Sequence, residues 1–462
     1  MGSQIRKVFV ANRGEIAVRI VHTCQEMGLD TVAGVSTADR DGLAARIAGR
    51  SVCIGPAPAR DSYLDLASVI SAAVGTGCDA LHPGYGFLSE NPELGRACAE
   101  NGLTFIGPSP EVVAEAGDKA RAREIARKAG IPILDGSPIV SNPDEAADAA
   151  DALGYPVLVK AAGGGGGRGM VVIHDAAELR ARLAGAMAEA MSAFGDGRVY
   201  VERFVENARH IEVQVLGDRN GNVVHLGDRD CTLQRRHQKV IEEGPAANIA
   251  GDTRRAIRGS GIAFARAIGL DSAGTVEFIY DSDRRQFAFL EFNARIQVEH
   301  PVTEMITGVD LVRQQIRSAQ GEPLEFAQAD VAFAGHAIEV RIMCESVPDG
   351  FVPRPGQVTL WEPPTVPGSR VDTHLVTGCV ISPYYDSLLA KLVVWGANRD
   401  EAIRRCLEAL LELKVQGVPT TAEFAYFAID HPDFRASAVT TDWIARCGLP
   451  QFQDLLLKGG RP

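Results

Sequence analysis

Glu277 lies on one apolar run, and Glu291 and Asn293 lie on a second; the two runs read as a hairpin. Residues two apart in a strand share a face, so Glu291 and Asn293 project together. A facing Glu277 then completes a set of hard oxygen donors suited to Mg2+ or Mn2+ on phosphate oxygens. The competing reading is a solvated polar strand face. Immediately downstream, Arg295, Gln297 and Glu299 alternate again. An arginine, an amide and a carboxylate on one side make a small-anion pocket with a built-in base. The stretch from Asp228 to Lys239 reads as a charged loop carrying Gln234, Arg235, Arg236, His237 and Lys239. Taken alone, it would be an ordinary solvated connection.

A second feature bears on phosphate. Five consecutive glycines, 163–167, stand between Lys160 and Arg168, with Gly165, Gly166 and Gly167 leading into it. Apolar runs flank the segment on both sides, so it joins two strands. A P-loop or a dinucleotide turn would instead open a helix. A glycine hairpin tip exposes backbone N–H groups to an anion, and the two cations add charge beside it. The segment reads as a lid over a nucleotide.

The elements that position these groups follow from periodicity. Residues 6–108 alternate strands (8–10, 31–35, 80–81, 104–107) with helices (15–27, 64–74), which argues a doubly wound parallel sheet. Ser109-Pro110 opens a single helix expected to run to Lys128. Residues 135–205 read helix, strand, strand, helix, strand, with Asn142 and Asp175 starting the helices. Farther on, 210–216 pairs with 223–226, and 275–280 with 287–292. The stretch 335–445 holds Pro/Gly turns and a helix over 400–413. The expected division is 1–115, 116–330 with a mobile lid at about 135–205, 331–450, and a tail or linker at 451–462. The fold class is mixed α/β and α+β.

The 462 residues are 46% hydrophobic and 23% charged, ordinary for a globular chain of several domains. A net charge of −12 argues against nucleic acid or an anionic membrane as partner. An anionic ligand therefore needs a local basic pocket. Nine cysteines without a Cys-x2-Cys pair fit a reducing compartment with mostly structural thiols, Cys231 included although it lies beside a basic run. No apolar run reaches membrane-spanning length and none resembles a signal peptide, so the expected location is cytoplasmic.

Four stretches carry a resemblance: residues 11–19 (Ala-Asn-Arg-Gly-Glu-Ile-Ala-Val-Arg), 82–91 (His-Pro-Gly-Tyr-Gly-Phe-Leu-Ser-Glu-Asn), the glycine segment, and 291–304 from Glu291 to Glu304. Residues 235–239 and 384–387 add to it. From about residue 5 to 447 the chain resembles biotin carboxylase, a member of the ATP-grasp superfamily. The resemblance implies an N-terminal Rossmann-like domain, an ATP-grasp body and a C-terminal biotin carboxylase domain.

It also implies roles. Lys119 and Lys160 hold ATP phosphates. Glu202, Arg203 and Val205 form the hinge that reads adenine, with Met170 and Ile279 against its faces. His210, Gln234 and His237 reach ribose and phosphates, while Glu277, Glu291 and Asn293 bind two divalent ions. Lys239, Arg295, Gln297 and the Val298 backbone hold bicarbonate, and Glu299 removes its proton. Tyr85, Gly86 and Arg341 lie near the biotin ring. The implied product is carboxybiotin, formed through carboxyphosphate, as the first half-reaction of an acyl-CoA or related carboxylase. Implied partners are a biotin carboxyl carrier, a carboxyltransferase and a second copy of the chain. Arg203 stands where the family often has Lys, and residues 343–346 depart on the biotin side. The alternative is another ATP-grasp ligase joining a carboxylate to an amine; the set Lys239, Arg295, Gln297 and Glu299 separates the two. A non-catalytic ATP-binding protein would lack a metal ligand or the base.

Overall fold

The computed structural model describes residues 5–140, 142–161 and 170–460. Five strands, β1 (Lys7–Val10), β2 (Asp30–Ser36), β3 (Arg50–Gly55), β4 (Ala80–His82) and β5 (Thr104–Phe105), form a parallel sheet in the order β3-β2-β1-β4-β5. The order reverses beside β1, so the β1 and β4 loops open at a switch point, where doubly wound sheets bind ligands. The apolar face of helix Gly14–Glu26 packs against this sheet through Ile16, Ile20 and Val21, and Gly28 past its end takes the left-handed conformation.

Helix 110–128 does not run through as the sequence suggested. It breaks into Pro110–Gly117 and Lys119–Lys128, because Asp118 is extended and its carboxylate caps the second helix at Arg121 N. The break puts Lys119 on a helix start.

β6 (Val157–Ala161), β7 (Met170–Ile173) and β8 (Val199–Arg203) form a small antiparallel sheet in the order β7-β6-β8 under helices Pro143–Leu153 and Ala176–Phe194. Asn142 and Asp175 cap those helices as expected. Lys160 pairs with Met170 across the ladder, but Gly165, Gly166, Gly167 and Arg168 lie outside the described residues.

The body is one eight-stranded sheet. Its strands are β9 (Ala208–Gly217), β10 (Val223–Arg235), β11 (Gln238–Gly244), β12 (Ala273–Asp281), β13 (Gln286–Asn293) and β14 (His336–Met343), followed, past three short strands, β15 (Glu345–Ser346), β16 (Val352–Pro353) and β17 (Leu360–Glu362), by β18 (Ser369–Thr373) and β19 (Leu388–Gly396). The order is β13-β12-β9-β10-β11-β14-β19-β18. It therefore runs unbroken across residue 330. Helix Gly251–Ile268 covers one half: Phe264 stacks on Phe289 at 4.8 Å and leans on Phe292 at 5.1 Å. Gly261 lets that helix approach, since a Cβ there would meet Val213 Cγ1 at 2.7 Å. Helix Arg399–Glu412 covers the other half.

Two further expectations fail. The charged stretch 228–239 is not a loop but most of β10, a tight turn and the start of β11. Its charges are paired inside the sheet instead of solvated: Asp228, Arg229 and Asp230 are all buried. Residues 451–457 are not a tail; helix Leu449–Leu457 inserts a fully buried Phe452 against Phe424. No helix among the described residues is long and apolar enough to cross a membrane.

Candidate active site

The cleft where the body faces the small sheet encloses about 550 Å³, within the range of small-molecule sites. Lys119, Lys160, Met170, Glu202, His210, Gln234, His237, Lys239, Glu277, Glu291, Asn293, Arg295, Gln297, Val298, Arg341, Tyr85 and Gly86 all line it. Residues nearly 260 positions apart thus share one wall.

Hairpin register explains the first cluster. Glu277 pairs directly with Glu291 across β12 and β13, and Asn293 lies two residues along, so the three side chains leave one face. Asn293 Nδ2 donates to Glu277 Oε1 at 2.9 Å, as does Gln297 Nε2 at 3.2 Å. Glu291 is half-exposed and holds Lys119 at 3.3 Å. Donor atoms of His210, Glu212 and Glu277 also converge within metal-ligand reach.

Residues 294–299 are not a strand. They turn, and Glu299 becomes the N-cap residue of helix His300–Thr307. The parts still assemble: Arg295 Nη1 donates to Gln297 Oε1 at 2.9 Å, and Arg295 Nη2 to Asn293 Oδ1 at 3.2 Å. Arg295 also meets Glu90 at 3.2 Å.

Lys239 lies among three carboxylates, at 2.6 Å from Glu212, 3.0 Å from Glu277 and 2.6 Å from Glu299. The other oxygen of Glu299 accepts from Arg341 at 2.8 Å. Burial alone would suppress each charge; mutual attraction outweighs it. Burial opposes ionisation of Glu299, yet Lys239, Arg341 and Arg229 hold its carboxyl well below the usual range. Burial would lower Lys239, but Glu212, Glu277 and Glu299 hold it well above. Likewise the His210 ring, 2.9 Å from Glu277, is raised despite burial because that carboxylate faces it.

Behind this layer stand residues the sequence reading missed. Arg229 is fully buried and donates to Glu212 at 2.5 Å, Gln214 and Thr303 at 2.8 Å and Thr275 at 3.3 Å. Glu212 is thereby aimed at Lys239. Its place two residues after His210 on one strand was the available signal. Glu242 accepts from Arg341 at 2.6 Å, and burial pushes its carboxyl up to about 7. Arg123 and Lys160 both bind the buried Glu202. Cys231 is buried and its thiol is pushed well up, first by burial and then by Glu212, so it is not a ready nucleophile.

Arg236 and His237 form the β10–β11 turn with φ of 47° and 65°. Such turns favour Asn-Gly; side chains held there bear strain of about 1–3 kcal/mol each, and His237 stands at the cleft. Arg203, Val205 and Ile279 lie off the wall. Arg203 binds Asp281 at 3.0 Å, while Val205 and Ile279 pack with Leu134, Ala208 and Ala288.

The chain is similar to known proteins along almost its whole length. Family models match residues 4–113 (biotin carboxylase, N-terminal domain), 118–327 (carbamoyl-phosphate synthase L chain, ATP binding domain) and 339–446 (biotin carboxylase C-terminal domain). Biotin carboxylase 1 of Bacillus subtilis is 45% identical over 441 residues, 95% of this chain and 98% of that one. The chain belongs to the biotin carboxylase family. It is a ligase of that family and shares its fold. The biotin carboxylase–β,γ-ATP complex of Campylobacter jejuni superposes with a TM-score of 0.92 at 43% identity, covering 96% of this chain and 99% of that one. The biotin carboxylase domain dimer of Hydrogenobacter thermophilus 2-oxoglutarate carboxylase, with MgADP, ADP and bicarbonate, gives 0.90 at 43% identity, covering 96% and 98%.

Proposed function

We propose that the chain carboxylates biotin carried on a partner, using ATP and bicarbonate. Membership of the family supports the overall reaction; the residue roles rest on geometry. The observation that carries them is the placement of Glu299 between Lys239 and Arg341, 2.6 and 2.8 Å away, beside Arg295 and Gln297.

A carboxylate stabilised this strongly is a weak base by itself. It takes a proton from bicarbonate when the doubly charged product is neutralised where it forms, and Lys239 and Arg295 supply that charge. The freed oxygen then attacks the γ-phosphate, held by Lys119 and Lys160. Glu277, Glu291 and Asn293 fit a divalent ion in donor chemistry; bound there, it would screen the phosphate charges. Glu202, Met170, His210, Gln234 and His237 hold the nucleotide. Arg203, Val205 and Ile279 act from behind the wall. Tyr85, Gly86 and Arg341 receive the biotin ring.

Biotin arrives on a carrier, and a carboxyltransferase consumes the product. The final acceptor never enters this cleft, so none of its residues selects the acyl-CoA we assign over a keto acid. Transfer assays from carboxybiotin, with each acceptor and the cognate carboxyltransferase, test that assignment. ADP release with Mg-ATP tests the core reading: it requires bicarbonate, rises with biotin, and falls in Glu299→Gln. Turnover indifferent to bicarbonate overturns it.

A further inference from the structure

Lys391 has no part in the roles above, yet it is a fully buried cation on β19, 0% exposed. Its ladder partner is Arg341 on β14, so the two cations stand side by side on one sheet face. They grip consecutive residues. Arg341 binds the Glu299 carboxylate at 2.8 Å, and Lys391 Nζ donates to the Val298 carbonyl at 2.9 Å. Lys391 also pairs with Glu15 Oε2 at 3.0 Å, and Glu15 Oε1 accepts from the Tyr85 hydroxyl. Glu15 is itself buried. An unbroken chain of contacts therefore runs from Tyr85, on the biotin side of the cleft, to the peptide preceding the base.

We propose that Lys391 and Glu15 are positioning residues: a buried strut that fixes the Tyr85 ring and the Val298–Glu299 peptide in one geometry, coupling the acceptor-ring pocket to the bicarbonate pocket.

The inference rests on the functional reading above. It differs from simple charge balance, although Lys391 also faces Asp372 at 3.8 Å and lies near Glu339, whose two oxygens are buried with no hydrogen-bond partner among the described residues. A cation serving only to neutralise Glu15, Asp372 and Glu339 would, when removed, lower the folded fraction and leave both KM values intact. A strut would change one KM selectively.

The test uses the full chain and steady-state ADP release without biotin, so that Tyr85 has no substrate to touch. Tyr85→Phe removes one hydroxyl and is expected to raise the bicarbonate KM by about three- to tenfold, with the ATP KM within about twofold, as slight misplacement of a reacting group does. Lys391→Met is expected to raise the bicarbonate KM by about tenfold or more, and Lys391→Arg to restore part of it. In the Lys391→Met background Tyr85→Phe adds nothing further, the non-additivity of residues in one chain of contacts. A bicarbonate KM unmoved by Tyr85→Phe, or effects that multiply in the double variant, overturns the strut. Should Lys391→Met fail to fold, Tyr85→Phe and Lys391→Arg decide it alone. Wild-type turnover independent of bicarbonate would instead overturn the functional reading.

Discussion

At the level of single residues the site is an exercise in compensated burial. Lys239, Glu299, Glu277 and Arg341 are all charged and all largely removed from water, which each alone would resist. Together they hold one another ionised. Glu291 is the half-exposed member of the oxygen set and has Lys119 as its counter-charge. Glu291→Gln is expected to raise the Mg2+ concentration for half-maximal turnover by about tenfold or more, read from ADP release against Mg2+; an unchanged midpoint would remove Glu291 from the ion site. Glu277, Glu291 and Asn293 were legible from their types and strand-face spacing, Arg295, Gln297 and Glu299 from their types although their segment turns, and Lys119 and Arg341 only from the family resemblance. The buried carboxylates and cations behind them were not. Glu339 and Lys391 sit in a stretch read only for its turns and one helix, and Glu242 just past the charged stretch read as a loop; only cross-strand register brings them under the site.

At the level of elements, two features do the positioning: the β12–β13 hairpin, legible from its alternation, and the β10–β11 pair, misread as a loop. The error has a physical cause. Asp228, Arg229 and Asp230 satisfy one another and their neighbours within the sheet, so charge there signals pairing, not exposure. Arg229→Met is expected to lower bicarbonate-dependent turnover by about tenfold or more, because Glu212 loses its anchor and drags on Lys239; unaltered kinetics in a folded variant would contradict this. A second clasp joins β11, β14 and helix Arg399–Glu412, where Glu243 meets His336 at 2.7 Å and Arg399 at 2.6 Å. Burial opposes its charge, but His336 and Arg399 hold its carboxyl down at about 2. A lowered folded-state pKa stabilises above the unfolded value of 4.5, and that stability is lost as pH falls toward 2. Glu243→Gln should therefore cost about 3 kcal/mol or more at neutral pH, and the gap in Tm from wild type should narrow only below about pH 4.5. A gap that is constant from pH 7 to pH 5 and narrows below about pH 4.5 fits the account, whereas one that closes by pH 6 does not.

For the whole molecule, the notable fact is the continuity of the central sheet. Sequence punctuation suggested separate blocks, and the alternating N-terminal pattern did foretell a parallel sheet. Nothing local could reveal that β14, β18 and β19 extend the ATP-grasp sheet, since strand adjacency is a long-range property. That continuity lets Arg341 and Lys391 reach beneath a base carried on another segment. The second copy of the chain expected from the sequence would give a solution mass near twice 49.3 kDa; light scattering that returns the monomer mass at micromolar concentration would contradict that expectation.

The most direct test of the central claim is ADP release from Mg-ATP by wild type and Glu299→Gln, with bicarbonate and biotin each supplied or withheld. The account predicts turnover that needs bicarbonate, rises with biotin, and falls by about a hundredfold or more in the variant, the loss expected on removing a general base. Equal turnover with and without bicarbonate, or a Glu299→Gln enzyme as fast as wild type, would contradict it.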